Sequence, residues 1–133
     1  MQQYQPVTQL ISIVEYWRFP PMAKAEAYTT DHDRDVPTDE FVASVAKFLS
    51  VPQPYQWDLY GMPSETIFST VRDYYASLAL SGGFRVGEDR ADDQGAYILT
   101  LYKNSPTVQR VYVQFWEKTD QSPALIMVIY QGF

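Results

Sequence analysis

The sequence predicts an α+β domain: an antiparallel sheet of about five strands with a long helix packed on one face, and a second, shorter helix. Three observations support this prediction. Two segments repeat apolar residues with the spacing of an α-helix, the hydrophobic period changes from 3.6 to 2 after Gly83, and turn residues separate the alternating segments that follow. A chain of 133 residues is long enough to bury a core as one domain.

The long helix is predicted at residues 64–81, with Ser64 as its N-cap and Gly82-Gly83 able to adopt positive φ at its end. Its apolar side chains share one helical face, namely Ile67, Phe68, Val71, Tyr74, Tyr75 and Leu78. The shorter helix is predicted at residues 38–50, because the same period recurs there and Pro52 prevents its continuation.

Strands are predicted on both sides of the long helix, and the acidic segment 88–94 is predicted to be a loop. The strands are expected at residues 55–60, 84–87, 96–102, 110–116 and 124–131. Residues 124–130 are apolar at every position. We therefore expect the last strand to be central, or to have its second face covered by another helix or by a partner.

The expected organisation is a single domain over residues 1–133. It has a strand-helix-meander core at residues 54–131 and an N-terminal strand and helix extension at residues 1–50. Residues 7–19 fit both helical and alternating spacing, and their β-branched content favours a strand. The sequence leaves open whether the extension packs on its own sheet or on a neighbour.

Charge and composition exclude several classes of protein. Ten Lys and Arg against sixteen Asp and Glu give a net charge of −6, which predicts no binding of nucleic acid. The absence of cysteine excludes a disulfide scaffold and a thiol nucleophile. No apolar run is long enough for a membrane span, which predicts a soluble protein. The compartment stays open between the cytoplasm and a bacterial envelope reached with a leader since removed.

Residues Tyr74 to Phe84 resemble a helix-end signature of small, mostly uncharacterised bacterial domains. The signature has an aromatic residue and Tyr, then three residues and Leu, then four residues and Gly followed by an aromatic residue. Counted from Tyr74, this chain has Leu78 and then Gly83-Phe84 at those spacings. Phe84 stands where the signature more often has Trp. The resemblance covers roughly residues 55–131 and implies a strand, a helix and an antiparallel meander, often in lipoproteins or exported proteins. It implies no particular activity.

A calcium site is the one metal site that the sequence suggests. Asp31, Asp33 and Asp35 alternate before the shorter helix, as carboxylates do at the start of a calcium loop. The sixth position is Val36 rather than Gly, and the twelfth is Val42 rather than Glu. A solvated acidic loop before a helix explains the same residues, and no other cofactor is predicted.

Catalytic motifs are scarce, so the sequence predicts that the chain is not an enzyme. His32 is the only histidine, and there is no Gly-x-Ser-x-Gly turn or Gly-rich phosphate loop. Paired carboxylates are the one catalytic arrangement that stays open, through Asp58 with Glu65 or through the acids of residues 88–93.

The aromatic surplus of eleven Tyr, seven Phe and three Trp has two interpretations: a meander whose outer face is covered by Tyr102, Tyr112 and Trp116, or a surface that binds a protein. Tyr112, Trp116 and Tyr130 are the candidate partner-binding residues. The predicted function is a non-catalytic protein-interaction module, either an accessory subunit of a larger bacterial assembly or an envelope binding domain. Homo-oligomerisation stays open.

Two other functions are kept as alternatives. An acidic inhibitor or immunity-type protein that masks a basic partner would gather its carboxylates on one face: Asp31, Asp33, Asp35, Asp39, Glu88, Asp89, Asp92 and Asp93. A small ligand-binding domain or carboxylate-dependent enzyme would have an apolar pocket between the long helix and the sheet, lined by Tyr74, Trp57 and Phe115.

Overall fold

A computed structural model describes residues 18–30, 37–91, 95–104 and 107–132. These residues form six strands and two helices. In chain order they are β1 (Glu26–Ala27), α1 (Thr38–Phe48), β2 (Gln56–Met62), α2 (Phe68–Ser81), β3 (Arg85–Ala91), β4 (Ala96–Lys103), β5 (Gln109–Trp116) and β6 (Ala124–Gln131). The α+β class and the antiparallel sheet are as predicted.

The sheet has the strand order β1-β2-β6-β5-β4-β3, and each neighbouring pair is antiparallel. After β2 the chain crosses the sheet through α2 and enters the far edge as β3. The meander of β4, β5 and β6 then returns, which brings β6 beside β2. Because β6 has a strand on each side, the expectation of a central last strand is confirmed.

One face of the sheet packs against α2. The helix buries Val71, Tyr75 and Ala79, whose spacing of four residues places them on one side of the helix. Their partners are alternate residues of three strands: Leu99, Leu101, Val111, Val113, Phe115, Ala124, Ile126, Val128 and Tyr130. These side chains form the larger of the two core clusters.

The opposite face packs against α1, which buries Val42, Val45 and Ala46. These residues lie against Leu59, Met127 and Ile129 of β2 and β6. The two helices therefore enclose the sheet in three layers, which explains why β6 is apolar at every position from residue 124 to residue 130. The described part of the N-terminal extension thus packs on the chain's own sheet.

The end of α2 is a Schellman motif. Gly83 has a φ of 84°. The Phe84 amide donates to the carbonyl of Ala79 (2.7 Å), and the Gly83 amide donates to that of Leu80 (3.2 Å). Phe84 folds back into the core beside Ala79. The predicted role of Gly83 as the helix stop is confirmed.

The beginning of α2 differs from the prediction. The helix starts at Phe68, four residues after Ser64, and its N-cap is Ile67 in an extended conformation. The chain turns first, because Thr66 donates to the carbonyl of Pro63 (3.1 Å). Ser64 belongs to this turn between β2 and α2. The shorter helix also ends early, at Phe48 rather than residue 50, since Ser50 adopts a φ of 61°.

The strand count is six rather than about five, and β3 is longer than predicted. Glu26 and Ala27 pair with Gly61 and Tyr60 and form the extra edge strand. At the other edge, strand β3 includes Glu88 and Asp89 and ends at Ala91, so residues 88–91 of the predicted loop are a strand. Backbone pairing with β4 stabilises this exposed strand, and a bulge between Val86 and Glu88 interrupts the alternation from which strands are recognised. Residues 7–17 of the strand predicted over residues 7–19 lie outside the described residues.

No helix in the described part of the chain is long and apolar enough to cross a bilayer.

Candidate functional site

The three residues predicted to bind a partner do not lie together. Tyr112 and Trp116 project toward the α1 layer, where they are half-buried beside its core cluster. Tyr130 projects toward α2 and is 1% exposed. Tyr130 is paired with Val111, whereas Tyr112 is paired with Ile129 and Trp116 with Leu125. Because neighbouring residues of a strand face opposite sides of the sheet, these three side chains do not form one continuous patch.

Tyr130 instead belongs to a polar cluster at the α2 face. Its hydroxyl donates to Asp58 Oδ2 (3.2 Å) and accepts from the Phe19 amide (3.1 Å). Asp58 forms an ion pair with Arg18, and Arg18 Nη1 also donates to the carbonyl of Trp57 (2.7 Å). We call Arg18, Asp58 and Tyr130 the anchor cluster, because they attach the segment at residues 18–21 to the sheet.

Burial is the main cause of the raised pKa values of the tyrosines around the anchor cluster. It raises the pKa of Tyr60 to about 12, with the Asp58 carboxylate as a second cause. It also raises the pKa values of Tyr75 and Tyr130 well above the ordinary value of 10.0, again with a smaller contribution from Asp58. The Tyr74 hydroxyl donates to the Pro20 carbonyl (2.6 Å). These phenols are therefore protonated near neutrality, and the hydroxyls of Tyr74 and Tyr130 act as hydrogen-bond donors.

The predicted acidic face is only partly described. Asp31, Asp33, Asp35, Asp92 and Asp93 lie outside the described residues, so the calcium site stays a prediction. Within the described ranges, no group of three His, Asp or Glu side chains could hold a metal ion. Glu88 pairs with Arg90 (2.9 Å) and Asp89 with Arg72 (3.8 Å), so nearby cations offset these two carboxylates.

The predicted pocket between α2 and the sheet does not gather its three lining residues. Tyr74 and Phe115 belong to the cluster under α2, whereas Trp57 packs with the α1 cluster on the other face. The carboxylates of Asp58 and Glu65 are also separated. Asp58 lies four residues before the end of β2, about 13 Å along the strand, and Glu65 lies in the turn beyond it.

A cluster that the sequence did not reveal lies on the α1 face of β3, β4 and β5. Arg85 lies directly opposite Tyr102, and Tyr102 lies directly opposite Arg110. Residues paired in this way project to the same side of a sheet, so the two arginines lie on either side of Tyr102 on one face. We call these three residues the Arg-Tyr row.

Gly87 lies beside Thr100 and the ring of the row. A Cβ atom at residue 87 would lie 3.5 Å from the Tyr102 ring, an ordinary contact, but only 2.9 Å from Thr100 Oγ1. The absence of a side chain at residue 87 therefore makes room for the Thr100 hydroxyl beside the row. Thr100 is held in place as well, since its hydroxyl accepts from the Glu88 amide (2.7 Å).

Two shallow grooves meet at this ring. The groove on the β5 side has a volume of about 410 Å³ and is lined by Glu88, Thr100, Leu101, Tyr102, Asn104, Arg110 and Tyr112. The groove on the β3 side has a volume of about 420 Å³ and is lined by Gly83, Arg85, Tyr102, Lys103 and Asn104. Tyr102 and Asn104 are common to both, so a ligand that crosses the row would enter both grooves.

The row combines two cations with one aromatic ring. Both arginines are exposed, and neither side chain forms an ion pair or hydrogen bond in the described part of the chain. The nearest carboxylate in the grooves, that of Glu88, accepts from Arg90 Nε. A chain with a net charge of −6 therefore presents two unpaired cations beside one aromatic ring.

The sequence could not reveal this row, because its members lie on three strands whose register only the structure defines. Alternation does place Arg110 and Tyr102 on the side away from the α2 core. Alternation does not show that these two residues lie opposite each other. The sequence also predicted a shorter strand around Arg85, at residues 84–87, than the strand β3 that forms.

A larger groove, of about 680 Å³, lies at the opposite edge of the sheet beside β1. Its charged side chains are Lys24 and Glu26, one of each sign, and its other lining residues are Ala27, Tyr28, Gly61, Met62, Pro63 and Pro123. Unlike the Arg-Tyr row, it has no two charges of the same sign beside an aromatic ring.

Comparison with family models, curated proteins and solved structures gives no match for this chain.

Proposed function

We propose that this chain is a non-catalytic protein-interaction module, serving as an accessory subunit or binding domain, and that it contacts its partner through the Arg-Tyr row. The observation that supports the proposal is the pair of unpaired, exposed arginines around Tyr102. Arginine and tyrosine are the residue types most enriched where interfaces gain binding energy. Neither arginine contributes an ion pair to the fold within the described ranges.

The position of the row also favours binding. The α1 core residues pack over β2 and β6, whereas the row lies across β3, β4 and β5. The grooves are shallow and open, as suits contact with a protein surface rather than enclosure of a small substrate. The anchor cluster has a different role, because its hydrogen bonds attach the chain's own segment 18–21.

The test compares three immobilised proteins: the wild type, the double variant Tyr102→Ala/Arg110→Gln, and the control Lys118→Gln. Lys118 is exposed in the connection after β5, away from the row. Proteins captured from an extract of the source organism are identified by mass spectrometry, and each one retained is then purified and its Kd measured directly.

We expect a purified partner to bind the wild type and Lys118→Gln equally and to bind the double variant at least tenfold more weakly. Circular dichroism and thermal unfolding establish that the variants fold. If every purified partner binds the double variant as tightly as the wild type, the row is not the interaction site.

A further inference from the structure

We infer that the Arg-Tyr row binds a polyproline II segment of a partner protein, with two carboxylates three residues apart and a proline or other apolar residue between them. The inference rests on the proposed function and adds to it the chemistry of the partner. It follows from the spacing of the row, its charge and its aromatic centre.

The spacing of the arginines defines the spacing of the ligand's charges. Arg85 and Arg110 are two strands apart, on either side of Tyr102, so their Cα atoms are about 10 Å apart. A polyproline II helix returns to the same side every three residues, after about 9 Å. A β-strand returns after about 7 Å or 13 Å. Of these repeats, that of polyproline II is the nearest to the Cα separation of the two arginines.

The centre of the row supplies a surface for one of the two residues between the charges, while the three-residue turn directs the other away from Tyr102. Tyr102 is half-buried: Gly87 of β3 lies on one side of its ring, and the two grooves open beside it. Aromatic side chains that line shallow grooves are the usual contacts of proline-rich segments, whose extended conformation costs little entropy to bind. A proline over Tyr102 would leave each flanking carboxylate within reach of one arginine.

The surrounding charge selects a ligand with few negative groups. Glu88 lines the groove on the β5 side, and the whole chain has a net charge of −6. A dense polyanion such as nucleic acid would meet repulsion outside the row. Two carboxylates on an otherwise neutral segment would contact the two arginines and avoid most of that repulsion.

The experiment uses the full chain and fluorescein-labelled synthetic peptides, with binding measured by fluorescence anisotropy at low and at physiological salt. The test peptide contains Glu-Pro-Pro-Glu between Gly-Gly ends. Two matched peptides contain Gln-Pro-Pro-Gln, which lacks the charges, and Glu-Glu-Pro-Pro, which keeps the composition and changes the spacing. An oligothymidylate of the same length serves as the polyanion.

We expect the Glu-Pro-Pro-Glu peptide to bind most tightly and to lose affinity as salt rises. Arg85→Gln and Arg110→Gln should each weaken its binding about two- to fivefold, as expected for an exposed ion pair. Tyr102→Ala should weaken it about tenfold or more. Lys118→Gln should leave the Kd unchanged.

Three results would overturn the inference: equal binding of the two acidic peptides, equal binding of the neutral peptide, or tighter binding of the oligothymidylate. The first two show that spacing or charge is not recognised, and the third identifies a nucleic acid as the better ligand. The proposed function is judged separately. If the purified partner binds the double variant more weakly but the peptides do not bind as expected, the row is still the interaction site. In that case only this description of the ligand is wrong.

Discussion

At the scale of single residues, one buried polar side chain lacks a hydrogen bond. Gln114 is the clearest case, because it is 4% exposed on β5 and its Oε1 forms no hydrogen bond. Its neighbours across the sheet are Ile98 and Met127, both fully buried. A buried amide oxygen without a donor costs free energy that a shape-matched apolar side chain does not.

We therefore expect Gln114→Met to raise the free energy of unfolding, by about 1 kcal/mol. Urea unfolding followed by fluorescence measures the difference, with Gln121→Met, at an exposed position, as the control. A loss of stability in Gln114→Met would show that the amide has a favourable partner and that our account of this residue is wrong.

At the scale of elements, each helix is stabilised by the sheet face that it covers. Helix α1 has eleven residues, no side-chain hydrogen bond at its N-cap and three buried residues. A helix of this length is marginal in isolation. Its contacts with β2 and β6 therefore determine whether it forms, and loss of these contacts should unfold α1 before the sheet.

The substitution Val42→Asp tests this dependence, because Val42 is fully buried at the centre of the α1 contact. An unpaired carboxylate there should lower the free energy of unfolding by about 3 kcal/mol or more. Ala43→Asp on the exposed side of the same helix should change it by less than about 0.5 kcal/mol.

Hydrogen exchange shows which element responds. In Val42→Asp, protection of the amides of residues 38–48 should fall further than protection of β6. If α1 and β6 lose protection equally, the helix and the sheet unfold as one cooperative unit rather than in sequence.

At the scale of the whole molecule, the tyrosines around the anchor cluster make stability depend on pH above 10. Burial raises the pKa values of Tyr75 and Tyr130 in the folded protein, while in the unfolded chain tyrosine ionises near its ordinary value of 10.0. Above that pH the unfolded state binds fewer protons than the folded state. Linkage then requires stability to fall as pH rises.

We expect the free energy of unfolding to be insensitive to these two groups below about pH 9. Above pH 10 it should fall by about 1.4 kcal/mol per pH unit for each tyrosine that stays protonated in the fold. Urea titrations at several pH values and constant ionic strength measure the slope. Tyr130→Phe should have a shallower slope than the wild type, and an unchanged slope would contradict the assignment.

The amino-acid sequence by itself determined the type and approximate position of most elements, because hydrophobic period and turn residues are local properties. It predicted both helices, the meander and the helix stop at Gly83. It also indicated that β6 needs cover on both faces, since seven consecutive apolar residues cannot face water on either side. The exposed strands were harder: β1 and the charged end of β3 are stabilised by backbone pairing, which leaves little trace in side-chain pattern.

Only the tertiary structure decided which residues meet. Strand register placed Arg85, Tyr102 and Arg110 in one row, and it separated Tyr130 from Tyr112 and Trp116, although all three had been grouped by their chemistry. The physical reason is that a sheet joins residues distant in the chain, through a register that depends on turns, bulges and the packing of both helices. A functional site built across strands is therefore a property of the fold.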